Sequence, residues 1–237
     1  MTNNLDNKVA YITGGSKGIG YGIAKALLDI GMRVAISSRS LRAAEEAARS
    51  LSTDTSRILG LQSDVSSMTS EKAAVKALIA HFGQLDVVIA NAGVGYFNSI
   101  EDLTEEEWRR TIDTNLTGVF NTVKSSLEAI RQSRGYIITM ASLAGTNFFE
   151  NGAAYNASKF GLVGFTQAIM LDLRKHGVKV TTIMPGSVAT HFNDNTPSEA
   201  DAWKIQPEDI GEIVVGLLRM HPRTLPSKIE VRPSMPK

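Results

Sequence analysis

Tyr155 and Lys159 lie four residues apart in the run Tyr155-Asn156-Ala157-Ser158-Lys159, a spacing that puts both side chains on one face of a helix. A phenol of ordinary pKa near 10 shuttles protons poorly at neutral pH. A cation about 4 Å away is worth on the order of 4 kcal/mol at an effective dielectric of 20, or roughly three pKa units. The pair therefore reads as an acid/base with Tyr155 drawn down toward neutrality. Taken alone, such pairs are routine on exposed helices. The weight comes from chain order: Asn91-Ala92-Gly93, Asn115 and Ser142 precede the pair, and Pro185-Gly186 follows it.

A second group of residues addresses phosphate. Thr13-Gly14-Gly15-Ser16-Lys17-Gly18-Ile19-Gly20 follows an apolar run and leads into a helical pattern. Glycines there permit a tight turn and close backbone approach to a pyrophosphate, and a helix N-terminus offers free N–H groups and partial positive charge. The spacing Gly-x3-Gly-x-Gly is neither Gly-x-Gly-x2-Gly nor a P-loop, and an ordinary glycine-rich turn is the competing reading. About 20 residues on, Ser37-Ser38-Arg39-Ser40 stands where an acid would hold the ribose hydroxyls of NAD. With no carboxylate present, Arg39, aided by Lys17, suits a 2′-phosphate through a bidentate charge-assisted pair, which favours NADP(H) over NAD(H).

These residues need a frame. Short runs rich in Val and Ile, at Lys8–Thr13, Arg33–Ser38, Arg57–Gln62, Leu85–Ala90, Gly135–Met140, Val178–Met184 and Lys228–Val231, read as buried strands. Helical spacing fills Ile19–Ile30, Leu41–Leu51, Glu71–Phe82, Glu105–Ile130, Ala153–Lys175 and Pro207–Met220. Gly31 and Gly83 suit left-handed helix ends, and Thr104 before Glu105-Glu106-Glu107 suits a capping box. Alternating β and α elements imply an α/β fold: a doubly wound parallel seven-stranded sheet with helices on both faces, its ligand site beyond the strands' C-terminal ends.

In this combination the chain resembles the compact, single-domain branch of the short-chain dehydrogenase/reductase family, from Lys8 to about Val231. The resemblance implies a Rossmann-type NAD(P)-binding domain over residues 1–237, with a substrate loop at about 187–206. It implies that Thr13, Gly14, Ser16, Lys17, Gly18, Ile19 and Gly20 form the cofactor loop, and that Asp64 and Val65 contact adenine. Asn91, Ala92 and Gly93 would line the cofactor, with Pro185, Gly186 and Val188 beside the nicotinamide and Thr190 on its carboxamide. Asn115, Ser142, Tyr155 and Lys159 match the catalytic tetrad. Their implied roles are a water anchor for Asn115, a hydrogen bond to the reacting oxygen for Ser142, proton transfer for Tyr155, and pKa lowering and ribose binding for Lys159.

The implied reaction is NADPH-dependent, reversible reduction of a ketone or aldehyde to an alcohol. Alternatives are a 3-oxoacyl-carrier-protein reductase, with Arg131, Arg134, Arg174 and Lys175 as candidate docking cations or ordinary surface charges, and a catalytically silent nucleotide sensor. Against the carrier-protein reading, Val94-Gly95-Tyr96-Phe97-Asn98 replaces an arginine-containing segment, and the end Ile229 to Pro233 lacks glycine. Three segments are expected to line the substrate pocket: Val94, Tyr96 and Phe97; Asn147, Phe148 and Phe149; and the Ser187–Ile205 loop with Phe192 and Trp203. Their aromatic content suits an apolar or aromatic ketone. The helix after Tyr155, from Phe160 to Leu171, carries more apolar surface than one stripe needs; in relatives it and the helix spanning Asn115 to Ile130 pair into a homodimer or homotetramer.

Composition sets outer bounds. The 237 residues are 43% apolar, with 25 basic and 24 acidic side chains and a net charge of +1. That excludes a disordered or collagen-like chain and argues against a nucleic-acid surface. No cysteine is present, so no disulfide or thiolate site exists. His81, His176, His191 and His221 show no ligand spacing, read as surface or structural residues, and no metal is expected. No leader-like or membrane-length apolar run is seen, and the expectation is a soluble cytoplasmic protein.

Overall fold

Seven short apolar runs pair into one parallel sheet in the computed structural model, which describes residues 5–235. The strands are β1 (Val9–Thr13), β2 (Arg33–Ser38), β3 (Ile58–Gln62), β4 (Val87–Ala90), β5 (Tyr136–Met140), β6 (Lys179–Pro185) and β7 (Lys228–Val231), in the order β3-β2-β1-β4-β5-β6-β7. Between them run α1 (Gly18–Asp29), α2 (Leu41–Leu51), α3 (Met68–Phe82), α4 (Glu105–Ile112), α5 (Gly118–Ser133), α6 (Ala153–Leu173) and α7 (Pro207–Arg219).

Period-2 alternation divides the core. In β1, Ala10 and Ile12 face one layer and Val9 and Tyr11 the other, all fully buried. The first layer packs α1, α2 and α7 through Ile23, Leu27, Ala47 and Val214; the second packs α3, α5 and α6 through Leu78, Val123 and Leu162. A fully buried leucine such as Leu27, Leu78 or Leu162 contributes about 1.5–3 kcal/mol. The strand order reverses between β1 and β4, which opens a crevice at their C-terminal ends.

Local signals agree with the element ends. Gly31 and Gly83 have φ of 90° and 79°, and Thr104 forms the capping box with Glu107. One expected helix differs. The stretch 105–130 is broken by a π-turn over Asp113–Thr117, in which Gly118 N–H bonds the Asp113 carbonyl. The inserted residue rotates Asn115 inward, where it is fully buried. Among the described residues, no helix is long and apolar enough to cross a membrane.

Candidate active site

The C-terminal ends of β1, β2, β4, β5 and β6 border one cavity of about 1200 Å³. At its phosphate side Gly14 and Gly18 adopt φ of +65° and +58°. A Cβ on Gly14 would sit 2.9 Å from Ala92 Cα, so the turn admits glycine alone. Asn91 fastens this turn from β4: its Nδ2 donates to Thr13 O at 2.9 Å and Gly14 O at 3.2 Å. Its backbone N–H and that of Ala92 bond Thr13 Oγ1. The α1 N-terminus has no side-chain cap and no acid in its first turn, which leaves N–H groups and dipole for an anion.

Ser16, Lys17, Gly18 and Ile19 line this side of the cavity, as do Arg39, Asp64 and Val65 farther along. Lys17 and Arg39 are exposed, and neither is among the described ion pairs. Asp64 is held in a turn, its Oδ1 accepting from Ser66 N at 3.0 Å and Ser66 Oγ at 2.7 Å. Gly20 lies behind the lining, where a Cβ would meet Gly14 O at 2.6 Å.

The chemical side gathers Ser142, after β5, with Tyr155 and Lys159 on α6. Asn156 joins these elements: its Nδ2 donates to Ala144 O at 2.7 Å and Asn147 O at 2.8 Å, fixing the Ser142 turn against the helix that carries Tyr155. Ser142 Oγ donates to Pro185 O at 3.4 Å and accepts from Ala144 N at 3.1 Å, and it stands close enough to the half-buried Tyr155 hydroxyl to lower its pKa. Asn115 pairs with both backbone groups of Val94, at 2.8 Å each, and donates to Ser158 Oγ at 3.1 Å. Its side chain thus clamps the Gly93–Val94 strand end onto α6, behind the cavity wall.

Lys159 is 4% exposed, and its Nζ donates to Met140 O at 2.9 Å while lying 5.6 Å from the Tyr155 ring centroid. Burial pushes the Tyr155 phenol up to about 12, with the Ser142 hydrogen bond opposing it. Burial pulls the Lys159 ammonium down to about 8. This reverses the expected direction for Tyr155: the hydrogen bond of the ammonium goes to the Met140 carbonyl, and desolvation by burial is the largest cause at both groups.

Above Tyr155 stand Phe97, 5.4 Å away edge-on, and Phe192, 5.8 Å away, with centroids 6.4 Å apart. Gly95 makes room for Phe192, since a Cβ there would lie 2.7 Å from its ring. The loop carrying Phe192 is closed at its base by the Val188–Ile205 bridge. Val94 and Tyr96 also line the cavity, as do Gly93, Pro185, Gly186, Val188 and Thr190. The Asn147–Phe149 segment does not: Phe149 touches the far side of Phe97 at 5.8 Å, and Phe148 is 82% exposed and stacked on Phe160. Trp203 likewise lies outside the lining, its ring 5.9 Å from Lys204 Nζ.

The cavity adds residues the motifs do not mark. Arg110, Asp113 and Thr114 enter it from α4 and the π-turn, and His191 from the loop; the i, i+3, i+4 spacing of the first three is the available signal. Among the described residues, no group of three or more His, Cys, Asp or Glu is placed to hold a metal ion.

The short chain dehydrogenase family matches residues 8–201. An uncharacterized oxidoreductase of Staphylococcus epidermidis is 32% identical over 97% of this chain and 98% of its own. Glycine betaine reductase of Emericella nidulans is 31% identical over 97% of this chain, which spans 19% of that protein. Among solved structures, an alcohol dehydrogenase from the archaeon Thermococcus sibiricus, complexed with 5-hydroxy-NADP, superposes with a TM-score of 0.91 at 30% identity, covering 98% and 100% of the two chains. A 3-ketoacyl-(acyl-carrier-protein) reductase from Brucella melitensis complexed with NADH gives 0.88 at 26% identity, covering 97% and 98%.

Proposed function

This chain belongs to the short-chain dehydrogenase/reductase family, oxidoreductases of the alcohol/carbonyl pair, and on that premise we propose that it reduces an apolar or aromatic ketone or aldehyde with NADPH. The observation that carries the reading is one cavity with a Ser142–Tyr155–Lys159 cluster at one side and, at the other, exposed Lys17 and Arg39, in no ion pair among the described residues, with no acid at the second strand's end.

The residues fit a dinucleotide phosphate. Gly14 and Gly18 keep the loop flat against the anion, the uncapped α1 N-terminus supplies N–H donors, and Arg39 with Lys17 complements a 2′-phosphate. Bound NADPH supplies a hydride. As negative charge grows on the carbonyl oxygen, Tyr155 donates its proton, and Ser142 hydrogen-bonds the same oxygen and holds it in line. A phenol at about 12 keeps its proton throughout the neutral range, which suits the reducing direction. Lys159 places positive charge under the phenolate left behind. Phe97 and Phe192 wall the oxygen from water and offer ring edges and faces to an apolar substituent.

Arg131, Arg134, Arg174 and Lys175 stand before β5 and β6 begin, at the opposite edge from Met140 and Pro185. Strands of five residues or more separate them from the catalytic end by about 17 Å or more, so they do not flank the cavity mouth. The same proposal includes pairing with a second copy through α5 and α6, where Phe120, Phe160 and Leu171 are 44%, 39% and 53% exposed; a monomer by light scattering removes that part. The deciding experiment is a paired NADPH/NADH oxidation screen over aromatic ketones, diketones, sugars and 3-oxoacyl thioesters. Faster NADPH oxidation with apolar ketones supports the reading. A preference for carrier-bound thioesters replaces the substrate, equal or better rates with NADH remove the Arg39 argument, and nucleotide binding without any turnover leaves a sensor.

A further inference from the structure

Beneath the nucleotide side of the cavity lies a buried polar cluster that the catalytic cycle does not use. Glu71, on α3, is fully buried. Its Oε1 accepts from Tyr11 Oη at 3.0 Å and from Ser63 Oγ at 2.5 Å. The Tyr11 hydroxyl also reaches Ser37 Oγ at 3.1 Å. Ser63 Oγ lies 3.3 Å from Ser70 Oγ, which accepts from Asp64 N–H at 3.0 Å. Among the described residues, Glu71 Oε2 is buried without a hydrogen-bond partner. A carboxyl in such surroundings costs free energy, and its placement needs a reason.

Its hydroxyl partners supply one. Tyr11 belongs to β1 and Ser37 to β2, and Ser63 follows β3; the residues immediately after Ser37 and Ser63 are Ser38-Arg39 and Asp64-Val65. All four line the cavity. One carboxyl oxygen therefore ties together the strand ends that present the 2′-phosphate cation and the adenine-side turn. Burial and the adjacent Glu71 raise the Tyr11 phenol well above its ordinary pKa, so it stays a donor.

The structure assigns Glu71 as a positioning residue for the nucleotide end of the cofactor site, acting through Tyr11–Ser37 on one arm and Ser63–Ser70 on the other. The assignment rests on the cavity being a dinucleotide site. Tyr11 is fully buried and is absent from the cavity lining, so an effect of Tyr11→Phe on nucleotide affinity must travel through this network.

The test is calorimetric titration of NADPH into wild type, Tyr11→Phe, Glu71→Gln and Glu71→Leu, with kcat and KM for NADPH measured beside it. Loss of a hydrogen bond in this network predicts a rise of up to about tenfold in the Kd and KM for NADPH in Tyr11→Phe and Glu71→Leu. In both variants kcat at saturating NADPH stays within about twofold of wild type, because the Ser142–Tyr155 side is untouched. Glu71→Gln keeps an acceptor oxygen and returns affinity to within about threefold of wild type. A purely structural role predicts lowered melting temperatures with NADPH affinity unchanged, and that result overturns the assignment. Should Glu71→Leu not fold, Tyr11→Phe decides alone. Failure of the wild type itself to bind NADPH or NADH contradicts the dinucleotide reading, and with it this one.

Discussion

Lys159→Met should make the protein more stable and inactive at once. The ammonium is 4% exposed and has a carbonyl, not a carboxylate, as its hydrogen-bond partner, and burial lowers its pKa from 10.5 to about 8. A shift of about 2.5 units at 1.36 kcal/mol each makes the buried charge cost ~3 kcal/mol. Methionine fills a similar volume without charge, while leaving the Met140 carbonyl without its donor costs ~1 kcal/mol. The net gain near neutral pH is ~2 kcal/mol, or about 4–8 °C in Tm for a domain of this size. The sign of the pH dependence follows from the lowered folded-state pKa. Between about 8 and 10.5 the unfolded chain holds a proton that the folded chain has lost, so wild-type stability rises with pH across that window. Below it the penalty is fully present. Above 10 the raised phenol of Tyr155 acts oppositely, since the unfolded phenol ionises first, so the clean window runs from about 8 to 10. Nucleotide-free wild type and Lys159→Met are compared by thermal and urea unfolding from pH 7 to 10. A variant no more stable than wild type at pH 7, or one that keeps the whole of the rise above pH 8, to which Lys179, also lowered by burial, adds a smaller part, refutes the reasoning.

Three further substitutions separate the parts of the site. Tyr155→Phe removes the proton donor and should lower kcat by at least about 100-fold while leaving the Kd for NADPH within about threefold; near-wild-type reduction refutes the assignment. Arg39→Asp should raise the KM for NADPH by about ten- to 100-fold, as expected for a lost charge-assisted pair worth ~1.5–3 kcal/mol, and lower that for NADH; an unchanged NADPH/NADH ratio in steady-state kinetics counts against it. Gly14→Ala forces a side chain into φ +65° with its Cβ 2.9 Å from Ala92 Cα, which should cost about 1–3 kcal/mol in denaturant unfolding and abolish nucleotide binding; a stable variant that binds NADPH normally contradicts the tight-turn role.

The sheet was legible because each signal was local. Apolar runs mark all seven strands, and glycines after α1 and α3 mark the helix ends, so boundaries shift by only one or two residues at most strands. The π-turn was not legible, because the helical spacing continues unbroken through Asp113–Thr117, and a one-residue insertion leaves no compositional trace. Asn115 can be singled out while what its side chain does cannot: it holds the backbone of Val94, a contact that depends on how the π-turn meets the segment after β4. Of the three expected pocket segments, the two nearest the catalytic cluster supply Phe97 and Phe192. Asn147–Phe149 turns outward because Asn156 draws the Asn147 carbonyl onto α6. The Tyr155 phenol lies above its ordinary pKa, opposite to what its spacing from Lys159 implies, for a general reason. Sequence spacing gives the proximity of a charge but not the desolvation of both partners, and here burial is the larger effect.

The most direct measurement of the proposed chemistry is transfer of deuterium to an aryl ketone from NADPH carrying deuterium at both nicotinamide C4 positions, followed by mass spectrometry of the alcohol. Wild type should yield alcohol carrying one deuterium at the carbinol carbon, and Tyr155→Phe should yield almost none although it still binds NADPH. Ketone consumption without label in the product, or equal labelling by the two proteins, would contradict hydride transfer with Tyr155 as the proton donor.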